Sequence, residues 1–207
     1  MYCTIFKLIA AIGWLSMDGF SQSSWELDRD KDGIQVYTRQ EQESDFKSFK
    51  AVMTLWTTPA QIMNVLREAD QYTRWYGFTK ASELLNQTDT TQYNYVETIF
   101  PWPYSNRDMV YRMSTSLINA NIIKVSLRGI PDYIPAREGI VRMQHAEGFM
   151  LLEQVDDKTI VTYQFHSEPG DVPSWLANNA IAELPVKTML GLRNEIKKCC
   201  QSSVGTH

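Results

Sequence analysis

Apolar residues recur at every second position through residues 33–39, where Ile34 and Val36 alternate with polar neighbours, and again through 48–55, where Phe49, Ala51, Met53 and Leu55 alternate. That is the period of strands with one buried face. The period then changes. Thr58 stands before Pro59 at the first helical position and Gln61 at the third. The Thr58 hydroxyl can therefore accept from the Gln61 amide while Gln61 returns a bond. Ile62, Val65, Leu66 and Ala69 follow at i, i+3, i+4 and i+7, the apolar stripe of a helix that buries one face. The pattern predicts that this helix ends near residues 75–77.

Strand-like runs return at 83–87, 91–100, 107–117, 121–129, 139–154 and 159–167, separated by turn-forming clusters such as Asn86 to Asp89, Asn119 to Asn121 and Asp156 to Lys158. Consecutive strands with short connections imply an antiparallel meander. Asp171, Val172, Pro173 and Ser174 then open a long helical pattern that runs to about Lys198, with Leu176, Ala180, Leu184, Thr188 and Leu192 near one stripe. Pro185 inside it predicts a kink.

Residues 100–108 put Pro101 and Pro103 beside Phe100, Trp102 and Tyr104 in a loop directly before a strand. Each proline fixes its own φ and restricts the residue before it, so the loop is stiff and presents its aromatics at a set angle. Such a loop suits a lip over an apolar pocket. Its bland alternative is a turn whose aromatics fold back on the core.

The formal net charge of −4 and the scattered Lys and Arg exclude a basic nucleic-acid surface. With 43% hydrophobic and 12% aromatic residues the chain is too apolar for disorder. At the N-terminus Lys7 precedes an apolar run from Leu8 to Leu15 and the small-x-small pattern Gly19, Phe20, Ser21. This reads as a secretory leader over 1–21, too short to span a bilayer, with one domain over 22–207 and a periplasmic or secreted location. The alternatives are a first amphipathic helix and a cytoplasmic protein. Cys199 and Cys200 are sequence neighbours, and no disulfide framework is read.

No nucleophile elbow, metalloprotease helix or phosphate-binding glycine loop is present. One constellation bears on metal binding. If Asp156 and Asp157 turn a tight hairpin, residues whose numbers sum to 313 pair, which sets His145 opposite Glu168 and Glu147 opposite His166. Two imidazoles and two carboxylates are metal-ligand types. Gly148, however, marks a bulge site that slips this register, so no metal and no cofactor is assigned.

Taken together, Trp25 to Thr38, Pro103 with Asn106, Arg107 and Asp108, Gly139 to Arg142, Thr159 to Tyr163, and Gly170 to Pro173 with Trp175 and Leu176 resemble StAR-related lipid-transfer (START) domains in order and spacing. The resemblance covers about residues 23–198. It implies an α+β helix-grip fold, a curved antiparallel sheet wrapped on a long C-terminal helix around a hydrophobic tunnel for one lipid. Burying a lipid is worth roughly 0.8 kcal/mol per methylene, so a dozen methylenes supply about 10 kcal/mol gross without chemistry. The resemblance places the door between the C-terminal helix and the 100–106 loop.

If Arg107 starts an inward face, strand parity sends Met109, Tyr111 and Met113 inward after it, as pocket or as plain core. Sterol-binding relatives carry a buried Arg six residues after the Arg of the Arg-Asp pair, where this chain has Met113. Arg142 and His145 match the relatives' Val/Ile-Arg-x-x-His run. His145 by resemblance faces the cavity, and Arg142 is either a ligand contact or a structural ion-pair partner. With Trp102, Tyr163 and Leu184 these complete the expected ligand contacts. The implied function is lipid transfer or sensing by a non-enzymatic monomer whose partner is a lipid or other hydrophobic small molecule, with transient membrane contact. The alternative is a hydrolase, cyclase or aromatase that uses Arg142, His145 and Tyr111 as its polar groups.

Overall fold

The computed structural model describes residues 24–202. Strands β1 (Glu26–Lys31), β2 (Ile34–Gln40) and β3 (Lys47–Leu55) come first. Helix α1 (Pro59–Arg67) follows, and then strands β4 (Thr79–Gln87), β5 (Thr91–Thr98), β6 (Arg107–Asn119), β7 (Ile122–Gly129), β8 (Val141–Arg142), β9 (His145–Val155) and β10 (Lys158–Glu168). Helices α2 (Ser174–Ala180) and α3 (Glu183–Ser202) end the described chain. All strands but one pair antiparallel in the order β1-β2-β3-β10-β9-β7-β6-β5-β4. The short β8 pairs parallel with β6. Because the last strand inserts between β3 and β9, the sheet is closed in its middle by a pairing distant in sequence. Its inward face wraps α3, whose Met189, Leu192 and Ile196 bury against Ile34, Val36, Ala51 and Met53.

Helix α1 starts as expected, with Gln61 N donating to Thr58 Oγ1 at 3.4 Å and Thr58 N donating to Gln61 Oε1 at 3.1 Å. It ends at Arg67, well short of 75–77, and residues Ala69–Arg74 form a 3-10 helix. The reason is tertiary. The Tyr72 hydroxyl takes up the Leu66 carbonyl at 2.5 Å and Gln92 Nε2 takes up that of Arg67 at 2.8 Å, which satisfies the helix end without another α-turn.

The run expected as one strand over 139–154 is two. Val141 N donates to Asn106 O and Met143 N to Asp108 O, so this stretch pairs beside β6 before the chain crosses to β7. The expected long C-terminal helix also breaks, at residues 181–182 rather than at Pro185. Pro185 lies in the first turn of α3, where its missing N–H has no intrahelical partner to lose, and no kink is needed there.

Helix α3 is pinned tightly. A Cβ on Gly191 would stand 2.1 Å from the Trp75 carbonyl oxygen, so only glycine allows this approach. Gly77 N donates to Thr188 Oγ1 at 3.0 Å, and Arg74 Nη2 to Glu195 Oε2 at 2.9 Å. Helix α2 has no fully buried residue of its own. The expected leader over 1–21 lies outside the described residues.

Candidate functional site

A cavity of about 440 Å³ lies between the sheet and the two C-terminal helices. Phe49 of β3 and Phe165 of β10 form one wall, with ring centroids 6.2 Å apart, and Val96 and Met109 form another. The first wall follows from strand parity: Phe49 shares a face with Ala51 and Met53, and Phe165 with Val161 and Tyr163. Leu176, Ile181 and Leu184 roof the cavity, and Ile99, Phe100 and Pro101 close its front. Its charged lining residues are Lys47 and Glu183. This volume falls within the roughly 300–1,000 Å³ of small-molecule sites.

The cover is latched by one side chain. Asn178 of α2 accepts from Lys47 N at 2.8 Å through Oδ1 and donates to the Asp45 carbonyl at 2.9 Å through Nδ2. The amide pairs with the backbone at the start of β3 as a neighbouring strand would.

At its inner end the cavity is bounded by Tyr76 and Met109, which also line a small void of about 10 Å³ beyond them. Tyr72, Trp75, Tyr111 and Met113 border that void. Tyr76 and Tyr163 share a hydrogen bond, and Tyr72 stacks on Tyr76 with centroids 5.7 Å apart. Burial pushes the Tyr76 phenol up to about 12, against a smaller opposing effect of its bond to Tyr163. Burial raises Tyr72, Tyr111 and Tyr163 as well. All four phenols are neutral over the physiological range.

The loop before β6 is anchored by Arg107, which is buried and donates from each of its three side-chain nitrogens. Its Nε donates to Pro169 O at 2.9 Å, Nη1 to Ser105 O, and Nη2 to Asp171 Oδ1 at 2.6 Å. Phe100 and Tyr104 fold over its guanidinium, with ring centroids 4.8 and 5.9 Å from Cζ. Arg107 thus ties the loop to the turn that leads into α2. Asn106 adds a second tie, accepting from Phe100 N at 3.2 Å and donating to Glu97 Oε1 at 2.6 Å. Burial raises the Glu97 carboxyl, but its bonds from Asn106 and Lys80 outweigh that and hold it below the usual value.

The expected contacts divide by face. Met109 and Leu184 line the cavity, Tyr111 and Met113 line the inner void, and Tyr163 is joined to Tyr76. Arg107 does not line the cavity; it ties the loop at the rim to the turn before α2. Trp102 is not a lining residue; it is 93% exposed, while Phe100 and Pro101 reach the cavity. Arg142 is the structural ion-pair partner, with Nε 2.7 Å from Asp108 Oδ1 and Nη2 3.1 Å from Oδ2. His145 does not face the interior. Ala146, Met150 and Leu152 take the inward positions of β9, and His145 is exposed on the outer face. The expected enzyme trio is therefore split, with Tyr111 inside and Arg142 and His145 outside.

The hairpin register is as the sum of 313 requires, with His145 opposite Glu168 and Glu147 opposite His166. Gly148 pairs with Phe165 without a slip, contrary to the expected bulge. It is glycine because a Cβ there would stand 2.2 Å from Gln164 O. The four side chains share the outer face, where His166 Nε2 and Glu168 Oε1 are 3.8 Å apart. Among the described residues no three His, Cys, Asp or Glu are grouped to hold a metal ion. Phe49, Tyr76, Phe165 and Asn178 were not among the expected contacts. Parity with Ala51 and Tyr163 identifies the two Phe, whereas Tyr76 and Asn178 depend on tertiary placement.

A curved antiparallel sheet gripping a C-terminal helix over an apolar cavity defines the helix-grip class. No protein-family model matches the sequence. The crystal structure of a StAR-related lipid transfer protein from Xanthomonas axonopodis superposes with a TM-score of 0.80 at 39% identity, covering 84% of this chain and 98% of that one. An uncharacterised protein of Pseudomonas aeruginosa is 31% identical over 176 residues, 84% of this chain and 87% of its own length. The phosphatidylcholine transfer protein of Mus musculus is 27% identical over 197 residues, 91% of this chain and 89% of its own. The chain belongs to the StAR-related lipid transfer (START) family.

Proposed function

We propose that this protein binds one lipid in the cavity beneath α2 and carries it between membranes, as a monomer and without catalysing a reaction on it. The observation that carries this reading is the 440 Å³ apolar cavity covered on one side by a short helix that has no buried residue of its own. Such a cover parts at little cost in core packing. Relatives named for lipid and phosphatidylcholine transfer support the same reading. The rim supplies the membrane contact. Trp102 follows Pro101 and Trp175 precedes Leu176 at the mouth, and they are 93% and 65% exposed. Indole rings favour the headgroup level of a bilayer. We place the carrier outside the cytoplasm on the leader-like residues 1–21; intact mass of protein from the native host, starting at Gln22, checks that part.

The test locks the cover. Lys47→Cys with Asn178→Cys, in a background with Cys3, Cys199 and Cys200 changed to Ser, joins α2 to the start of β3. Fluorescent-lipid transfer between vesicles is expected to stop when this pair is oxidised and to resume on reduction, with bound lipid retained throughout. Transfer at equal rates in both states would contradict the proposed route.

A further inference from the structure

Seven of the nine large apolar side chains exposed among the described residues stand at two ends of the molecule. Ile99, Trp102 and Trp175 are at the cavity mouth. Trp56, Leu117, Ile118 and Val155 are at the opposite end, 43–68% exposed. The sheet's register sets these four in one row. β3 ends at Leu55 opposite Thr159, so Trp56 follows beside Lys158, and Lys158 pairs with Val155. Gln154 N donates to Asn121 O at 2.8 Å, which levels the end of β9 with the turn that follows Leu117 and Ile118. The cavity takes the other ends of the same strands, at Lys47 and Phe49 of β3 and Phe165 and Ser167 of β10. The 11 residues of β10 therefore set the row roughly 33 Å from the mouth. Single exposed apolar residues are ordinary, but a row of them on three separate elements marks a contact surface.

A flat and yielding partner fits this row. Its side chains stand on the ends of different elements with Asn119, Asn121 and Asp156 between them, so they form no continuous groove for another protein, whereas lipids fill such gaps. Lys158 Nζ lies 4.0 Å from the centre of the Trp56 ring, and an indole beside an ammonium suits the headgroup level of a bilayer. A second copy fits badly. A twofold contact sets a patch against itself, so Asp156 and Asp157 would face their own counterparts. The charges along the row are mixed, Lys124 and Lys158 with Glu153, Asp156 and Asp157, and the adjoining turn between β1 and β2 adds Lys31 and Asp32. That mixture matches the phosphate and ammonium of zwitterionic headgroups and gains nothing from an anionic surface.

We infer that this row is a second membrane-docking surface, seated on zwitterionic bilayers. Taken with the mouth contact of the carrier reading, on which this consequence rests, it lets one molecule span two bilayers held about its own length apart.

The test uses the full-length chain with Cys3, Cys199 and Cys200 changed to Ser. Ala120→Cys then carries an environment-sensitive nitrobenzoxadiazole label at the turn beside Ile118, and Trp102→Cys carries it at the mouth in a separate sample. Phosphatidylcholine vesicles should raise the emission of the Ala120→Cys label about twofold or more with a shift to the blue, and replacing about 30% of the lipid by phosphatidylglycerol should not strengthen the response. Leu117→Ser with Ile118→Ser should raise the lipid concentration for half response about tenfold, as the loss of apolar burial requires. The unlabelled parent should cluster the vesicles, read as turbidity, and this pair of substitutions should abolish the clustering. A silent Ala120→Cys label beside a responding mouth label overturns the inference and leaves the carrier reading standing; silence at both ends overturns the membrane contact of that reading as well. A response that requires phosphatidylglycerol, or one that grows with protein concentration before any vesicle is added, also overturns it, the latter by giving the row to a second copy. No clustering by the parent overturns the two-bilayer span.

Discussion

Substituting Asn178 by Leu should turn the cavity's cover into a faster one. The change removes two hydrogen bonds, Lys47 N to Oδ1 at 2.8 Å and Nδ2 to Asp45 O at 2.9 Å. Each is worth about 0.5–1.5 kcal/mol net, because water replaces the lost partner at this rim. Helix α2 has no fully buried residue, so little else resists its departure. The closed state then loses about 1–3 kcal/mol, which corresponds to roughly a 5- to 150-fold larger open population. Stopped-flow release of a bound fluorescent lipid into acceptor vesicles measures this directly. The release rate should rise by that factor, with a melting transition close to that of the parent, because α3 and the sheet keep their contacts. Unchanged release would refute the latch, and a large fall in melting temperature would make Asn178 a structural residue instead.

Gly191→Ala puts a methyl 2.1 Å from the Trp75 carbonyl and should cost about 1–3 kcal/mol or more in thermal or denaturant unfolding. Asp108→Ala leaves the Arg142 guanidinium buried without its counter-ion and should cost about 3–5 kcal/mol. His145→Ala, on the exposed outer face, should change stability by no more than about 0.5 kcal/mol and leave lipid occupancy unaltered. Glu97, held below its ordinary value of 4.5, contributes stability that is present above that value and lost as pH falls through its lowered folded pKa. Lipid release should therefore be flat from neutrality down to about pH 4.5 and accelerate below it as the tie to Asn106 weakens; acceleration that begins at higher pH would assign the effect to another group.

Parity made the inward faces of β3, β6 and β10 legible, because Ala51, Met109 and Tyr163 belong to clean apolar alternations. It was silent where one residue type served both readings. Gln92, Asn94, Val96 and Thr98 are the inward positions of β5, yet three of them are polar and resemble a solvated face. Strand β1 shows no alternation at all, since Glu26–Lys31 is exposed throughout at the sheet's edge. His145 was aimed inward by resemblance alone, and its own strand neighbours Ala146 and Met150 place it outside. The break at residues 181–182 has no Gly or Pro to announce it. Pro185, the visible signal, was absorbed into the first turn of the next helix.

The central claim is that the cavity carries one lipid, and native mass spectrometry of protein purified from its own host without detergent tests it most directly. The account predicts a single added mass per chain, which lipid extraction identifies as one lipid. The bare chain mass alone, together with a crystal structure in which side chains of Phe49, Tyr76 and Phe165 fill the 440 Å³, would contradict it.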